Sequence, residues 1–369
     1  MYLKTIQLIN FKNYSEQTFE FSSGVNCIVG LNGVGKTNLL DAIHYLSMTK
    51  SYFNSMDMLS IRHDEDFFAI HGNFVEEEAE VMNKVSCIQQ KEKRKILKVN
   101  QKECDRLAEH IGCYPCVMIS PYDTDYINGS ADVRRKYFDS TISQFDKHYL
   151  ENLIRYNKIL LHRNALLKHF AEKNCFNEQE ISIWDDRLAG FGVKIFEMRK
   201  FFLENFLPVF NRFFSIITPN EAVSIEYKSQ LFEDDFCNLL KKNRQKDFLA
   251  QHSTVGIHKD DFLFTMNGFS VKKFCSQGQQ KSFLVVLKLA QYEYIKQIKD
   301  KKPILLLDDV FDKLDQNRIQ QLIGLVAGNH FGQVFITDTH KERIQGLFKD
   351  IGTSKNNFSI HFPQRAEVR

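Results

Sequence analysis

The chain has 369 residues, 43% of them hydrophobic and 26% charged, enough to bury one large core or two smaller ones. A net charge of +3 is too small to mark a polyanion binder, so a nucleic-acid partner would have to be met by local patches. No apolar run approaches a membrane span and none forms a signal peptide; a cytoplasmic protein without a membrane partner is expected, with its eight cysteines reduced.

Residues 2–11 and 17–21 predict two strands of a hairpin joined around Lys12-Asn13-Tyr14-Ser15. An apolar strand over 25–29 then runs into Gly30-Leu31-Asn32-Gly33-Val34-Gly35-Lys36-Thr37, followed by Asn38. These residues fit G-x-x-x-x-G-K-[ST], the phosphate-binding loop. Leu39, Leu40, Ile43 and Leu46 share one helical face directly after it. Glycines without a Cβ let the backbone curl and turn its N–H groups onto phosphate oxygens, and the helix N-terminus adds a positive dipole end. Lys36 can reach the β- and γ-phosphates and the Thr37 hydroxyl can ligate Mg²⁺. The stretch 30–38 is therefore the candidate site for a nucleoside triphosphate.

Short alternating stretches such as 67–70 and 96–99 predict an antiparallel sheet beside this core, with Lys91, Lys93, Arg94 and Lys95 at a solvated hairpin tip. Cys113 and Cys116 have C-x-x-C spacing, but a second ligand pair is missing, so they are read as structural thiols. From about residue 123 to 218 the apolar period is helical, without the sustained heptads of a long coiled coil. Strand–helix alternation returns from Val255: a strand over 262–264, a helix over 283–298, a strand over 304–307, a helix over 319–326 and a strand over 334–337. The expected organisation is 1–122 and 251–369 as two parts of one α/β head, with a mostly helical insertion over 123–250. Phenylalanine is abundant, at 33 residues, with no pattern that ties it to a site.

The strand Ile304-Leu305-Leu306-Leu307 ends in Asp308-Asp309, the Walker B pattern, which puts two carboxylates at the ligand-binding end of an α/β sheet. Asp308 is the candidate Mg²⁺ ligand alongside Thr37, and Asp309 the candidate to orient or deprotonate an attacking water. Ahead of this strand, Ser276-Gln277-Gly278-Gln279-Gln280 opens a helix and makes a second anion-seeking motif, besides being a plain N-cap. About 270 residues separate Thr37 from Asp308, too many for a compact nucleotide kinase, so a domain must be inserted between them.

With that order of motifs the chain resembles ABC-type ATPases, and more closely the RecF family of bacterial recombination and gap-repair ATPases. The resemblance rests on the phosphate loop, Phe11-Lys12-Asn13-Tyr14, Arg134-Arg135-Lys136, Arg163-Asn164-Ala165-Leu166-Leu167-Lys168, Gly256-Ile257-His258-Lys259-Asp260-Asp261, the Ser276 motif and Leu307-Asp308-Asp309-Val310-Phe311. It implies an ABC-type head with a mixed sheet flanked by helices, an antiparallel sheet and an inserted helical domain. It also implies ATP and Mg²⁺ as cofactors, Lys36 and Asp309 as catalytic residues, and an ATP-dependent homodimer. In that dimer Ser276, Gln277, Gly278 and Gln279 of one protomer would meet the nucleotide of the other, and residues 312–315 would form a dimer-contact loop. The implied partners are DNA, single-stranded or at gaps and duplex junctions, with the RecR and RecO proteins and, functionally, the RecA recombinase.

Three departures are notable. Asp309 stands where most ABC heads carry glutamate, which implies slow turnover. Ser51-Tyr52-Phe53 stands where relatives often have Ser-Phe-Arg, so neither an Arg contact nor the glutamine switch loop is placed. His340 lies near a switch-histidine position and is read as an ordinary loop residue. Candidate DNA-phosphate contacts are Arg134-Arg135-Lys136, Lys241-Lys242 with Arg244 and Lys246, and Lys299 with Lys301-Lys302. A transporter engine, a metabolic kinase and a junction scaffold with incidental hydrolysis are the competing classes.

Overall fold

The computed structural model describes residues 1–76, 81–218, 221–310, 320–321, 324, 330–340 and 358–363. Expectations for the helix over 319–326, for Phe311 and for the loop at 312–315 therefore lie wholly or largely outside the described residues. The chain starts with β1 (Tyr2–Phe11), β2 (Tyr14–Glu20), β3 (Val25–Val29) and α1 (Lys36–Met48). Strands β4 (Phe67–Glu76), β5 (Val81–Gln90), β6 (Ile96–Val99), β7 (Lys102–Glu103) and β8 (Cys116–Ile119) follow. Next come α2 (Thr124–Asn128), α3 (Ala131–Ser143), α4 (Lys147–Lys173), α5 (Glu178–Ile217), β9 (Val223–Lys228) and α6 (Phe236–Ala250). Then follow β10 (Asp261–Met266), β11 (Phe269–Ser270), α7 (Val271–Phe274) and α8 (Gln277–Lys299). Strands β12 (Ile304–Leu307), β13 (Val334–Asp338) and β14 (Phe358–His361) end the order.

Two compact units result: Met1–Asp123 with Ile216–Thr218 and Lys281–Arg369, and Thr124–Ser215 with Pro219–Gln280. The first holds a parallel sheet of order β14-β3-β13-β12-β8 and an antiparallel sheet of order β2-β1-β4-β5-β6-β7. Strands β3, β8, β12 and β13 are buried at every residue, which explains why they read as mainly apolar runs rather than as alternation, with Asn26 inside β3 and Thr337-Asp338 closing β13 as buried polar exceptions. In β1 the buried residues Leu3 and Ile6 are three apart; a register shift between Leu3 and Thr5 absorbs the extra residue.

At that bulge the two sheets are tied by one buried side chain. Gln333, 1% exposed, accepts from the Leu3 N–H at 2.8 Å and donates to the Leu3 and Ser22 carbonyls at 2.8 Å each. Replacing it with leucine strands these three backbone groups away from water, a loss of about 2–4 kcal/mol expected in urea unfolding. A loss below about 0.5 kcal/mol would show that water reaches them.

The second unit packs its helices around the antiparallel sheet β11-β10-β9. Residues 251–280 cluster here because β10 pairs with β9 from Asp261–Lys228 to Met266–Val223. The phenylalanines find their place along α5, where Phe202, Phe206, Phe210 and Phe214, each one turn on, follow one another with centroids 5.0, 6.2 and 5.8 Å apart, the first two pairs stacked and the last tilted. The two polar motifs of this unit are structural knots. Arg163 is fully buried and bonds Asp185 and Asp247 at 2.7 Å and Ser253 at 2.8 Å. Gly256, at φ 125°, lies where a Cβ would strike Phe236 at 2.6 Å and the Tyr156 hydroxyl at 2.8 Å, and His258 bonds that hydroxyl at 2.8 Å.

Candidate nucleotide-binding site

The site grows from the carboxyl ends of β3 and β12, with β13 between them. Beyond β3 the loop turns on Gly33 and Gly35, at φ 83° and 105°. Gly35 begins α1 in the left-handed region, where no side chain caps the first turn and no acid sits in it. An anion therefore meets helix N–H groups and a positive dipole end without a competing carboxylate in that turn. Gly35 is also needed sterically: a Cβ there would lie 2.5 Å from the Asn13 side chain and 2.8 Å from the Tyr14 hydroxyl.

Those two residues brace the loop from the first hairpin. Asn13 donates to the Val34 carbonyl at 3.2 Å, Tyr14 donates to the Gly35 carbonyl at 2.9 Å, and Asn38 donates to Asn13 at 2.7 Å. In the sequence Asn13 and Tyr14 read as part of a hairpin connection and of the family motif, with no sign that they brace the phosphate loop. Lys36 is buried and donates from Nζ to the Gly30 carbonyl at 2.8 Å and the Leu31 carbonyl at 3.1 Å, which lays its ammonium along the loop. Leu31 and Asn32 are exposed on the loop.

Across the sheet, Thr37 donates to Asp308 Oδ1 at 3.0 Å, joining residues 271 apart in sequence. Thr337, at the end of β13, donates to the same oxygen at 2.9 Å and accepts the Asp309 N–H at 2.9 Å. Asp309 takes a left-handed φ of 44°, a conformation that costs a non-glycine residue. Burial raises the Asp308 carboxyl to about 6; the Asp309 charge pushes the same way, while bonds from Thr337 and Thr37 and the Lys36 charge oppose it. An oxygen pair from Thr37 and Asp308 with a second acid adjacent is a donor set for a hard cation such as Mg²⁺, whose charge would relieve this crowding. Thr337 was missed in the sequence; its signal was a polar residue closing an apolar strand that neighbours the Walker B strand.

The family model described as the RecF/RecN/SMC N terminal domain matches residues 2–359. The chain is 45% identical over 361 residues to a DNA replication and repair protein RecF of Flavobacterium johnsoniae, covering 98% of this chain and 100% of that protein. The chain belongs to the RecF family. RecF of Bacteroides thetaiotaomicron is 42% identical, with 98% and 97% covered. A solved recombination mediator protein RecF with ATPrS, in the RecFOR pathway, superposes with a TM-score of 0.85 at 33% identity, covering 97% of each chain. An Smc head from Pyrococcus furiosus shares the fold at a TM-score of 0.53 and 16% identity. The ABC-type head fold read from the RecF-like motif order is thus the fold of this chain.

The remaining RecF motif residues fall as follows. Ser276 to Gln279 lie in the second unit: Ser276 Oγ accepts the Gln279 N–H at 3.3 Å and Gln279 Oε1 accepts the Ser276 N–H at 2.9 Å, a reciprocal cap that starts α8 six residues before the expected helix. Gln277 is exposed and Gly278 half-buried. His340 is exposed, and its N–H donates to Asp338 at 2.7 Å.

Several cations expected at the surface are engaged instead. Arg134 forks onto Asp261 at 2.7 and 2.9 Å, and Arg135 donates to the Asp260 carbonyl at 2.5 Å. Arg244 bonds the buried Asp185 at 3.0 Å, and Lys301 pairs with Glu76 at 3.1 Å. Lys95 lies in the connection between β5 and β6 but is not solvated: its side chain is 8% exposed, paired with Asp57 at 2.6 Å. Lys136, Lys241, Lys242 and Lys246 stay exposed. Cys116 is buried in β8, Cys113 is exposed, and neither forms a disulfide. Among the described residues no cluster of three His, Cys, Asp or Glu could hold a metal, and no helix is long and apolar enough to cross a membrane.

Proposed function

We propose that this chain is an ATP-dependent DNA-binding protein of recombinational repair and replication-gap processing, working as a nucleotide-driven homodimer in the cytoplasm. The contact of Thr37 with Asp308 at 3.0 Å supports it most, because it brings a phosphate-loop hydroxyl to a Walker B acid in a RecF-family chain. The first unit serves as the ATPase head, and the second is the inserted domain that also carries the signature motif.

In this reading the N–H groups of residues 33–37 hold the β- and γ-phosphates of ATP, with Gly30, Leu31, Asn32 and Asn38 framing the loop. Lys36 leaves the Gly30 and Leu31 carbonyls for phosphate oxygens. Thr37 and Asp308 would hold Mg²⁺, which supplies charge neutralisation on the phosphates when bound. Asp309, its backbone fixed by Thr337, orients the attacking water and accepts its proton. Ser276, Gln277, Gly278 and Gln279 reach the nucleotide of the partner protomer, so ATP joins two chains around DNA at gaps and single–double-strand junctions. Slow, DNA-stimulated hydrolysis times release, and RecR and RecO act with the dimer to load RecA.

Sedimentation equilibrium with and without ATP and gapped DNA tests this. Wild type is expected to dimerise with ATP, and Ser276→Arg to bind ATP yet stay monomeric, since a bulky cation fills the capped helix start. A wild-type monomer under every condition would overturn the proposal.

A further inference from the structure

The signature glutamine is held by an acid that none of the motifs includes. Gln279 uses both ends of its amide: Oε1 accepts the Ser276 N–H at 2.9 Å, and Nε2 donates to Glu221 Oε1 at 2.7 Å. Glu221 precedes β9 on a fixed backbone. The neighbouring Ala222 N–H donates to Asn267 Oδ1 at 2.9 Å, and the Asn267 N–H donates to the Ala222 carbonyl at 2.7 Å. Asn267 and Gly268 form the left-handed turn between β10 and β11, at φ 50° and 81°. The second carboxylate oxygen of Glu221 is buried and accepts no hydrogen bond among the described residues.

We propose that Glu221 is a positioning residue that restrains the signature motif against phosphate and so sets the ATP concentration at which two chains associate. The proposal rests on the reading that Ser276 to Gln279 meets the γ-phosphate bound by a second copy. An amide with one of its two N–H donors committed to a carboxylate has only the other to offer a phosphate. The carboxylate also repels an approaching polyanion, and repulsion in a partly buried site is weakly screened. ATP must therefore approach the signature against the Glu221 charge, and full use of the Gln279 amide requires its bond to Glu221 to open. An acid this close would be a poor choice if its only task were to aim Gln279, because a neutral acceptor would aim it equally well.

The test uses the full chain in Mg–ATP titrations by sedimentation, with wild type, Glu221→Gln, Glu221→Ala and Ser276→Arg. Glu221→Gln keeps an acceptor for the Gln279 amide and removes the charge. It is expected to self-associate with ATP at roughly tenfold lower chain concentration than wild type. Association without ATP, the melting temperature and the affinity of the dilute monomer for ATP should stay unchanged, as a merely structural role would not allow. Glu221→Ala should shift the same way. ATP-dependent association that Ser276→Arg abolishes, but that is unchanged or weakened in Glu221→Gln, overturns the role of Glu221 alone. No ATP-dependent association of wild type overturns both this role and the underlying reading.

Discussion

Replacing Arg199 with methionine is expected to destabilise the second unit by about 3–5 kcal/mol, the largest effect of any single substitution considered. Arg199 is 1% exposed and bonds both Asp139 oxygens at 2.8 and 3.0 Å, Asp260 at 2.9 Å and the Ile257 carbonyl at 2.9 Å. Tyr149 donates to Asp139 and Tyr227 to Asp260, so one guanidinium joins α3, α4, α5 and β9 to the start of β10. Methionine preserves much of the volume but leaves two acids desolvated without their cation, and breaking a buried pair from one side costs far more than the pair contributed. Lysine keeps the charge without the planar fork, and should recover only part of the loss. Trp184, the sole tryptophan, lies on α5, so its fluorescence during urea unfolding reports this unit. A loss below about 1 kcal/mol would mean that the network relaxes or takes up water.

The same network shows what a sequence conceals. The phosphate loop was legible because glycine, lysine and threonine requirements fall within eight consecutive residues. Asp308 was legible because an apolar run ending in acids is a local pattern. Thr337 was not, since its approach to Asp308 follows from β13 lying between β3 and β12, a matter of strand order rather than spacing. Arg134 and Arg135 read as candidate DNA-phosphate contacts because Asp261 is 127 residues away from Arg134. Lys95 was misread for a related reason: its ion-pair partner Asp57 lies outside its hairpin. The strand over 223–228 alternates Val223, Ile225 and Tyr227 too briefly to stand out inside a helical region. The apolar period marks this helix only from residue 283 because its first turns are polar; Ser276 and Gln279, capping each other, carry it back to Gln277, in line with the N-cap reading of that motif.

Acidification should expose a buried histidine in the first unit. His44 lies on α1, 7% exposed, with Nδ1 3.1 Å from the Lys50 carbonyl and its ring edge-on to Tyr52 at 5.0 Å. Burial lowers its pKa to about 4; the Lys50 and Lys288 charges push the same way, against Asp41 and the Lys50 carbonyl bond. The unfolded chain, with an ordinary histidine near 6.5, therefore binds more protons than the folded one across that interval. Stability rises with pH there and is lost as pH falls from about 6.5 to about 4, by about 3 kcal/mol from this group. Burial also lowers His71, His110, His258 and His361, which act in the same direction. Asp308 and Asp260, raised by burial, act oppositely, so the whole-chain curve is shallower than the histidines alone would make it. The His44 contribution is isolated by difference: His44→Asn keeps a donor for the Lys50 carbonyl but does not titrate. Between pH 7 and pH 4 it should lose about 3 kcal/mol less than wild type in urea unfolding followed by circular dichroism. Parallel losses in the two proteins would place the proton elsewhere and show that the pocket admits water around the His44 ring.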